Sequence, residues 1–593
     1  MDREAAKQVS LSIQGIGVSP GIAVGAALLY RTPAAEEASP LQTPVDLTAE
    51  RERLQAAIAA GIAELHALAE RIAREIGRSE GEIFTAQALM LEDPTIAERA
   101  EELLAQGNAD AATALSLAAE EQAAALAQLP DPVWQGRAAD VRDAARAALA
   151  HLRPSAQVTL AQLLDTAVEP VVVVAEDLAP SETTRMAPAK VCAIALAQGS
   201  ATSHAAILAR ALRIPAVVGL GPRLLEAVHE GAPLVVNGGR GTLTLSADEA
   251  SLQAARMQAD QYRQTLAASQ TRQAALRDQP GSIRDGHRVP LLANVGSADE
   301  ARAAAEVGAE GIGLLRTEFL FAQSTTLPDE RQQADLYAEI ILALAAARGP
   351  IIIRTLDAGS DKPLPALGAS SAAEVNPALG VRGIRLQAGV PDLLATQLRG
   401  ILLAARRTQA NVQVMLPMVS TVEEVRAAKS TLQQARESLA EAGMPSPPLG
   451  IMVETPAAVL SLEALAQEAA FFSIGTNDLT QYVMAADRLN PQLVVLNDPA
   501  QPAVLRALAA VVRAARAAHR HVSVCGEMAG DPLLALLLVG LGVESLSMTP
   551  ASIPGVKEAL AAHTLAELQA LAERATKLAT VHEVRELLGE LAR

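Results

Sequence analysis

The chain is poor in aromatic residues, in cysteine and in long apolar runs, and each shortage excludes a class of protein. Phe, Tyr and Trp make up only 2% of the 593 residues, so any core must be largely aliphatic. Two cysteines cannot supply the disulfide framework of small secreted domains. The longest apolar run, "IILALAAA" at 340–347, is too short to span a bilayer, and the N-terminus has no apolar signal core. We therefore expect a cytoplasmic protein without membrane insertion.

Positive charge is also in short supply. Lys and Arg number 49 against 67 Asp and Glu, which gives a formal net charge of −18. This balance argues against a nucleic-acid partner, because neutralising phosphates requires a basic surface. An acidic surface is instead suited to attracting a basic protein.

Length and apolar content indicate several folded domains. Half of the residues are hydrophobic, and 593 residues exceed what one compact core accommodates. Short strand-like runs open the chain and return after a long helical stretch that contains almost no Gly or Pro within its segments. We expect a small α/β domain built from 1–30 and 152–246, a helical bundle inserted over 46–151, and a linker helix over 247–284.

The remainder, 285–593, has the pattern of a TIM barrel. Eight short apolar runs alternate with segments of helical length, as eight βα units require. The runs are "VPLLANV" (289–295), "GIGLLRTE" (311–318), "PIIIRTLD" (350–357), "VQVMLPMV" (412–419), "LGIMVET" (449–455), "AFFSIGT" (470–476), "HVSVCGE" (521–527) and "VESLSMT" (543–549). The predicted fold class is thus α/β and multidomain, ending in a (β/α)8 barrel.

Charged and polar residues gather at the ends of these runs, where TIM barrels hold their active sites. They are Arg316, Glu318, Arg354, Asp357, Glu454, Asn477, Asp478, Cys525 and Glu527, with Lys362, Arg382 and Arg488 in the loops that follow. Such residues also form purely structural ion pairs, so each one alone has two explanations. The whole set on one face favours a functional site.

The chemistry of this set suits a small anionic substrate and a divalent cation. Glu454 and Asp478 end successive strands and are candidate ligands for Mg²⁺. Planar guanidinium groups bind carboxylate or phosphate through paired hydrogen bonds. A substrate carrying both groups would satisfy the arginines and the metal together.

Two further residues have open interpretations. Cys525 is either a small buried apolar side chain or a proton donor at a strand end, whereas Cys192 has only the buried interpretation. His204 follows Ser203 and begins an apolar helix, where free backbone N–H groups favour an anion and keep the imidazole neutral. It is either a packing residue or an acceptor of a phosphoryl group.

Long motifs in order resemble enzyme I of the bacterial phosphoenolpyruvate:sugar phosphotransferase system, nearly end to end. They include "SPGIAVG" (19–25), "LMLEDP" (89–94), "TSHAAILARALRIPAVVG" (202–219), "GIGLLRTEFLF" (311–321), "IIIRTLDAGSDKPLP" (351–365), "NPALGVRGIRL" (376–386), "FSIGTNDLTQYVMAADR" (472–488) and "VCGEMAGDP" (524–532).

The resemblance implies a swivelling phosphohistidine domain, a helical domain that docks the carrier protein HPr, and a barrel that binds phosphoenolpyruvate and forms a homodimer. It implies that His204 accepts the phosphoryl group and passes it to HPr. Substrate binding would fall to the matching residues Arg316, Arg354, Asn477, Asp478 and Arg488, together with Lys362 and Arg382. Glu454 and Asp478 would hold Mg²⁺, and Cys525 would protonate the enolate to pyruvate.

The sequence also departs from the family pattern, which leaves two alternatives. "IFTAQALMLEDP" lacks the usual acidic-His pair, and Val381 stands where an aromatic residue is usual. The second departure leans toward the related dikinases and phosphoenolpyruvate synthases, although no Gly-rich nucleotide loop is present. The other alternative is a catalytically silent scaffold or regulatory protein, against which the complete set of site residues argues.

Overall fold

The fold comes from a computed structural model, which divides into two compact units, Met1–Leu266 and Ala267–Arg593. The structure describes residues 11–31, 46–75, 78–107, 109–128, 132–152, 160–178, 182, 186–187, 189–199, 203–245, 248–322, 326–344, 349–359, 364, 366–367, 374, 376–390, 392–439, 443–488 and 490–591.

The described part of the first unit contains an eight-stranded sheet, in the order β1-β8-β7-β3-β4-β5-β6-β2. Its strands are β1 (Leu11–Gln14), β2 (Ile16–Ser19), β3 (Ile22–Tyr30), β4 (Val171–Ala175), β5 (Val191–Leu196), β6 (Ala216–Val218), β7 (Pro233–Asn237) and β8 (Thr242–Leu245). The strands from β3 to β6 pair in parallel, and the other pairs are antiparallel. Val172, Val173 and Val174 of β4 are fully buried, as expected of a strand covered on both faces.

Between β3 and β4 the chain leaves the sheet and forms a helical bundle. The helices of this unit are α1 (Leu47–Glu75), α2 (Arg78–Glu92), α3 (Pro94–Ala105), α4 (Ala111–Ala127), α5 (Pro132–Leu152), α6 (Leu160–Thr166), α7 (His204–Ala211) and α8 (Leu224–Ala227). Small side chains allow close packing: a Cβ on Gly61 would lie 2.8 Å from the backbone nitrogen of Ala148. The prediction of an α/β part interrupted by a helical bundle is confirmed.

Helix α9 (Glu249–Leu276) follows the sheet and covers part of the predicted linker helix. The exact domain boundaries given above stay predictions.

In the second unit, the described strands close into a parallel barrel in the order β10-β11-β12-β13-β14-β15-β16-β9. They are β9 (Leu291–Val295), β10 (Ile312–Leu315), β11 (Ile351–Arg354), β12 (Val412–Leu416), β13 (Leu449–Val453), β14 (Phe471–Ile474), β15 (His521–Val524) and β16 (Ser545–Met548). Each strand falls within one of the eight predicted runs. The TIM barrel is therefore confirmed.

Helices surround this barrel, and several begin at side-chain caps that fix where they start. They are α10 (Ala298–Glu306), α11 (Glu318–Ala322), α12 (Glu330–Ala343), α13 (Leu393–Thr408), α14 (Val422–Ser438), α15 (Pro456–Leu460), α16 (Leu462–Leu465), α17 (Thr476–Met484), α18 (Pro502–Ala517), α19 (Pro532–Leu541), α20 (Ile553–Ala561), α21 (Leu565–Lys577) and α22 (Val581–Leu591). Asp329, Thr421 and Thr564 form capping boxes at the starts of α12, α14 and α21. Among the described residues, no helix combines the length and apolar character needed to cross a membrane.

Candidate active site

A cavity of about 660 Å³ lies at the carboxyl ends of the barrel strands. The residues with a predicted role that line it are Arg316, Arg354, Glu454, Asn477, Asp478, Arg488 and Cys525, and Glu318 and Glu527, noted at strand ends, line it as well. Strand geometry explains this convergence, because parallel strands in a closed barrel deliver their last residues to the same rim. The structure therefore brings to one cavity seven barrel residues that have a predicted role.

Arg354, the last residue of β11, is held by two carboxylates. Its Nη2 lies 2.5 Å from Glu318 Oε1, and its Nη1 lies 3.2 Å from Asp357 Oδ2. Burial by itself lowers the pKa of Arg354, but the neighbouring carboxylates outweigh it and hold that pKa above its usual range. Arg354 is thus a permanent, oriented cation.

Arg382 lies in the same network but outside the cavity lining. Its side chain is fully buried and bonds Asp357 through two atoms, Nε to Oδ1 at 3.2 Å and Nη2 to Oδ2 at 2.8 Å. Its Nη1 lies 3.5 Å from Asp478 Oδ1. This position suits a residue that orients carboxylates, and its predicted contact with substrate stays a prediction. Lys362 lies outside the described residues.

Glu454 and Asp478 present carboxylate oxygens without hydrogen-bond partners among the described residues. Glu454 Oε1 accepts a hydrogen bond from Met418 N at 2.6 Å, while its Oε2 is buried and accepts none. Asp478 Oδ1 likewise accepts none, although Arg488 Nη1 lies 3.4 Å away. Burial, followed by the charges of Asp478 and Asp357, raises the pKa of Glu454 to about 8.

The unpartnered oxygen of Glu454, together with the carboxylate of Asp478, fits a hard divalent cation such as Mg²⁺, which prefers carboxylate ligands and keeps several water or substrate oxygens. Gly475 keeps the space open, since a Cβ there would lie 2.8 Å from Glu454 Oε2. No group of three or more His, Cys, Asp or Glu side chains suited to a metal occurs in the described part of the chain.

Asn477 has a fixed amide orientation. The backbone N–H of Glu527 donates to its Oδ1 at 2.9 Å. The carbonyl end of the amide is therefore engaged, which leaves the NH₂ group as the donor that Asn477 offers to the cavity.

Cys525 lies at the cavity floor, 4% exposed. Burial is the main cause that raises the pKa of its thiol to about 11. The sulfur is therefore protonated at neutral pH, which is the state that a proton donor requires.

His204 is the first residue of α7, in the first unit. The hydroxyl of Ser203 caps that helix by accepting a hydrogen bond from the backbone N–H of Ala206. The backbone placement at a helix start agrees with the sequence prediction. The side chain of His204 lies outside the described residues.

Sequence reasoning gave no role to three residues of the site. Glu318 and Asp357 were noted at strand ends, yet their pairing with arginines depends on the closed barrel. Phe319 lines the cavity with an exposed ring, and its only sequence signal is its place directly after Glu318.

Three protein-family models match the chain, and they define its class as a phosphoenolpyruvate-utilising enzyme. Their descriptions are "PEP-utilising enzyme, N-terminal" over 14–137, "mobile domain" over 167–241 and "PEP-binding domain" over 270–565.

Curated relatives refine this class. A phosphoenolpyruvate-protein phosphotransferase from Haloferax volcanii is 39% identical over 97% of this chain and 99% of its own. Multiphosphoryl transfer proteins from Xanthomonas campestris pv. campestris and Rhodobacter capsulatus are 41% and 42% identical over 98% and 88% of this chain. The chain spans 67% and 61% of those two longer proteins. The chain belongs to the phosphoenolpyruvate-protein phosphotransferase (enzyme I) family, which confirms the resemblance seen in the sequence and its assignment as an enzyme.

Proposed function

We propose that this protein transfers the phosphoryl group of phosphoenolpyruvate to its own His204 and then to a histidine of an HPr-type phosphocarrier, releasing pyruvate. The observation that carries the proposal is the barrel cavity, which combines arginines, two carboxylates with open oxygens and a protonated thiol. Each of these groups has a task in moving a phosphoryl group off an enol.

The cations bind and orient the substrate. Arg316, Arg354 and Arg488 line the cavity and offer guanidinium groups to the phosphate and carboxylate of phosphoenolpyruvate. The NH₂ group of Asn477 adds a neutral donor of fixed direction. Since phosphoryl transfer depends on positioning and charge stabilisation, this rigid set is what the reaction requires of a protein.

Glu454 and Asp478 would hold Mg²⁺. When bound, the ion supplies charge stabilisation for the transferring phosphoryl group. Glu454 needs such a counter-charge, because burial and repulsion by the Asp478 and Asp357 carboxylates raise its pKa and disfavour its ionised form.

Cys525 supplies the proton that completes the reaction. As the P–O bond of phosphoenolpyruvate breaks, the enolate of pyruvate is left. The S–H bond then breaks, its proton forms a C–H bond at the methylene carbon, and the electron pair stays on sulfur. The raised pKa of the thiol keeps the proton available until the enolate forms.

His204 is the proposed nucleophile, and its P–N bond replaces the P–O bond. The backbone of His204 begins α7, and free backbone N–H groups and the positive end of a helix dipole favour negative charge at a helix start. The unit that carries His204 must then deliver the phosphoryl group to the carrier, so we keep the predicted division into a swivelling domain, an inserted docking domain and a barrel.

The inserted bundle is the proposed docking surface for the carrier. Leu89 of α2 and Leu117 of α4 expose apolar side chains near Glu92, Glu120 and Glu121. Glu120 and Glu121 are paired with Arg142 and Arg99, so the exposed leucines rather than free negative charge support docking at this surface.

We also retain a homodimer through the barrel and a cytoplasmic location. Leu460, the last residue of α15, is 87% exposed. Val494 and Val495 are also exposed and lie in the connection between β14 and β15. Exposed aliphatic side chains in neighbouring connections support an interface between barrels.

A labelling experiment tests the proposal. The protein is incubated with ³²P-labelled phosphoenolpyruvate and Mg²⁺, with and without HPr, beside His204→Ala and a control at an exposed histidine outside the bundle, His229→Ala. We expect acid-labile, base-stable label that chases onto HPr in the wild type and in His229→Ala, and none in His204→Ala. Label that requires ATP would support a dikinase, and absence of label would support a silent scaffold.

A further inference from the structure

One sector of the inner wall of the barrel is polar although it is buried. We call it the inner polar sector; its residues are at most 6% exposed. It consists of Asn294 of β9, Ser473 of β14, Ser523 of β15, and Ser545 and Ser547 of β16. They point inward because neighbours in their strands, such as Phe472 and Ile474 around Ser473, pack into the core outside the barrel. Cys525 follows β15 above this sector.

The sector fixes the backbone of Cys525. Asn294 Nδ2 donates to Cys525 O at 2.9 Å, and Ser547 Oγ donates to Asn294 Oδ1 at 2.6 Å. The backbone N–H of Cys525 donates to Ile474 O at 3.1 Å. With both backbone polar groups engaged, the sulfur can move only by side-chain rotation.

The sulfur itself is weakly bonded. Its S–H points to Ile474 O over 3.7 Å, which is a weak contact from a weak donor. Once the proton has left, that carbonyl oxygen offers nothing to a thiolate. The sulfur then needs a donor within reach.

Ser473 has the hydroxyl that can serve. It is fully buried, and its Oγ makes no hydrogen bond of standard geometry with a described residue. The register pairs Ser473 with Ser523, two residues before Cys525, so Ser473 and Cys525 stand on the inner wall of adjacent strands. Ser523, opposite it in the strand pairing, instead donates to Phe472 O at 3.3 Å. A buried hydroxyl without a partner is costly, so its retention calls for an explanation.

The charges around the sulfur are consistent with this role. Burial raises the pKa of the Cys525 thiol, and the Ser473 hydroxyl is the main influence that lowers it, followed by Arg354. Glu454 raises this pKa and Arg316 lowers it. Ser473 is thus a neutral donor beside the charged groups that surround the sulfur.

We propose that Ser473 is a positioning residue for proton transfer by Cys525, donating a hydrogen bond to the sulfur as the thiol releases its proton. Ser473 keeps its own proton throughout. This inference rests on the proposed function, in which Cys525 protonates the enolate carbon.

The first test needs no turnover. In a Cys192→Ser background, alkylation of Cys525 by iodoacetamide is followed from about pH 7 to about pH 9 in Ser473→Ala, Ser473→Thr and the matched control Ser523→Ala. Loss of one hydrogen bond to a charged group raises the thiol pKa by about one unit, so Ser473→Ala should react about tenfold more slowly. Ser473→Thr and Ser523→Ala should react like the parent. Equal rates in Ser473→Ala and Ser523→Ala would overturn the assignment.

The second test measures catalysis. Ser473→Ala should lower kcat about tenfold with an unchanged KM for phosphoenolpyruvate, enlarge the solvent isotope effect, and be rescued by Ser473→Thr. A raised KM or absence of rescue would contradict a positioning role. If wild-type protein takes no label from phosphoenolpyruvate, the proposed function fails, while the alkylation comparison still decides whether Ser473 supports the sulfur.

Discussion

Removing the negative charge of Asp357 should destabilise the barrel strongly, because this carboxylate holds two buried arginines. Asp357 is fully buried, bonds Arg382 through two atoms at 2.8 and 3.2 Å, and lies 3.2 Å from Arg354 Nη1. Asp357→Asn keeps the shape of the side chain but turns one acceptor oxygen into a donor that faces guanidinium donors. The arginines would then carry charge that is only partly compensated.

The expected loss is about 3 kcal/mol in the free energy of unfolding. Two unit charges about 4 Å apart interact by about 4 kcal/mol at an effective dielectric constant near 20. Breaking a buried ion pair costs about 3–5 kcal/mol when the partner stays behind. Arg354 keeps Glu318 at 2.5 Å and Arg382 keeps Asp478 at 3.5 Å, which favours the lower end.

Scanning calorimetry of the full chain is the assay. A loss of about 3 kcal/mol should lower the transition of the barrel by roughly 4 °C, since the entropy of unfolding grows with the size of the unit Ala267–Arg593. Trp134 is the only tryptophan and lies in α5 of the first unit, so its fluorescence transition should stay in place.

The matched control is Asp299→Asn, which breaks an exposed pair with Arg302. Exposed pairs contribute about 0–1 kcal/mol, so the barrel transition should move by no more than about 2 °C. If Asp357→Asn moved the transition no further than this control, the buried network would not stabilise the barrel as argued.

Two further predictions follow from the geometry. Gly475→Ala should impair labelling by phosphoenolpyruvate at least about tenfold, because the added Cβ would lie 2.8 Å from Glu454 Oε2. The control Gly555→Ala should label normally, because its Cβ would meet no atom closer than 3.8 Å. Asp143 in α5 has a pKa raised to about 7, mainly by burial, so the first unit should lose stability as the pH rises from about 4 to about 7. Asp143→Asn should flatten that loss in urea titrations followed by Trp134 fluorescence, and an unchanged pH dependence would contradict the assignment.

The sequence predicts most of the barrel and its rim. Eight short apolar runs with helical spacing determine eight parallel strands, and the residues at their ends must then meet at one rim. Arg316, Glu454 and Cys525 were identified for this reason, since the position of each depends only on where its own strand stops.

Pairing across strands could not be predicted in the same way. Arg382 is identified by sequence as a cation in a loop, yet the structure buries it against Asp357, a residue 25 positions earlier. Likewise, the inward direction of Ser473 and Asn294 follows from strand register, and their common surroundings follow from barrel closure. These relations depend on closure of the whole sheet and have no local signal.

The charge balance of the site leads to a final prediction about the order of binding. Because the pKa of Glu454 is raised to about 8, this residue adds little negative charge at neutral pH. Four arginines then face four other carboxylates; these residues are Arg316, Arg354, Arg382, Arg488, Glu318, Asp357, Asp478 and Glu527. The described part of the site therefore has no net positive charge to attract a phosphorylated carboxylate. A divalent cation on Glu454 and Asp478 would reverse that balance, so Mg²⁺ and phosphoenolpyruvate should each increase the affinity of the other by the same factor.

Titration calorimetry with either ligand first would measure this coupling. We expect a factor of at least about tenfold, or about 1.4 kcal/mol, in the wild type and a much smaller factor in Glu454→Gln. If phosphoenolpyruvate bound equally well without Mg²⁺, the arginines alone would be sufficient to bind the substrate. That result would mean that the paired carboxylates leave the arginines free to bind the substrate unaided, contrary to the charge balance from which the coupling is derived.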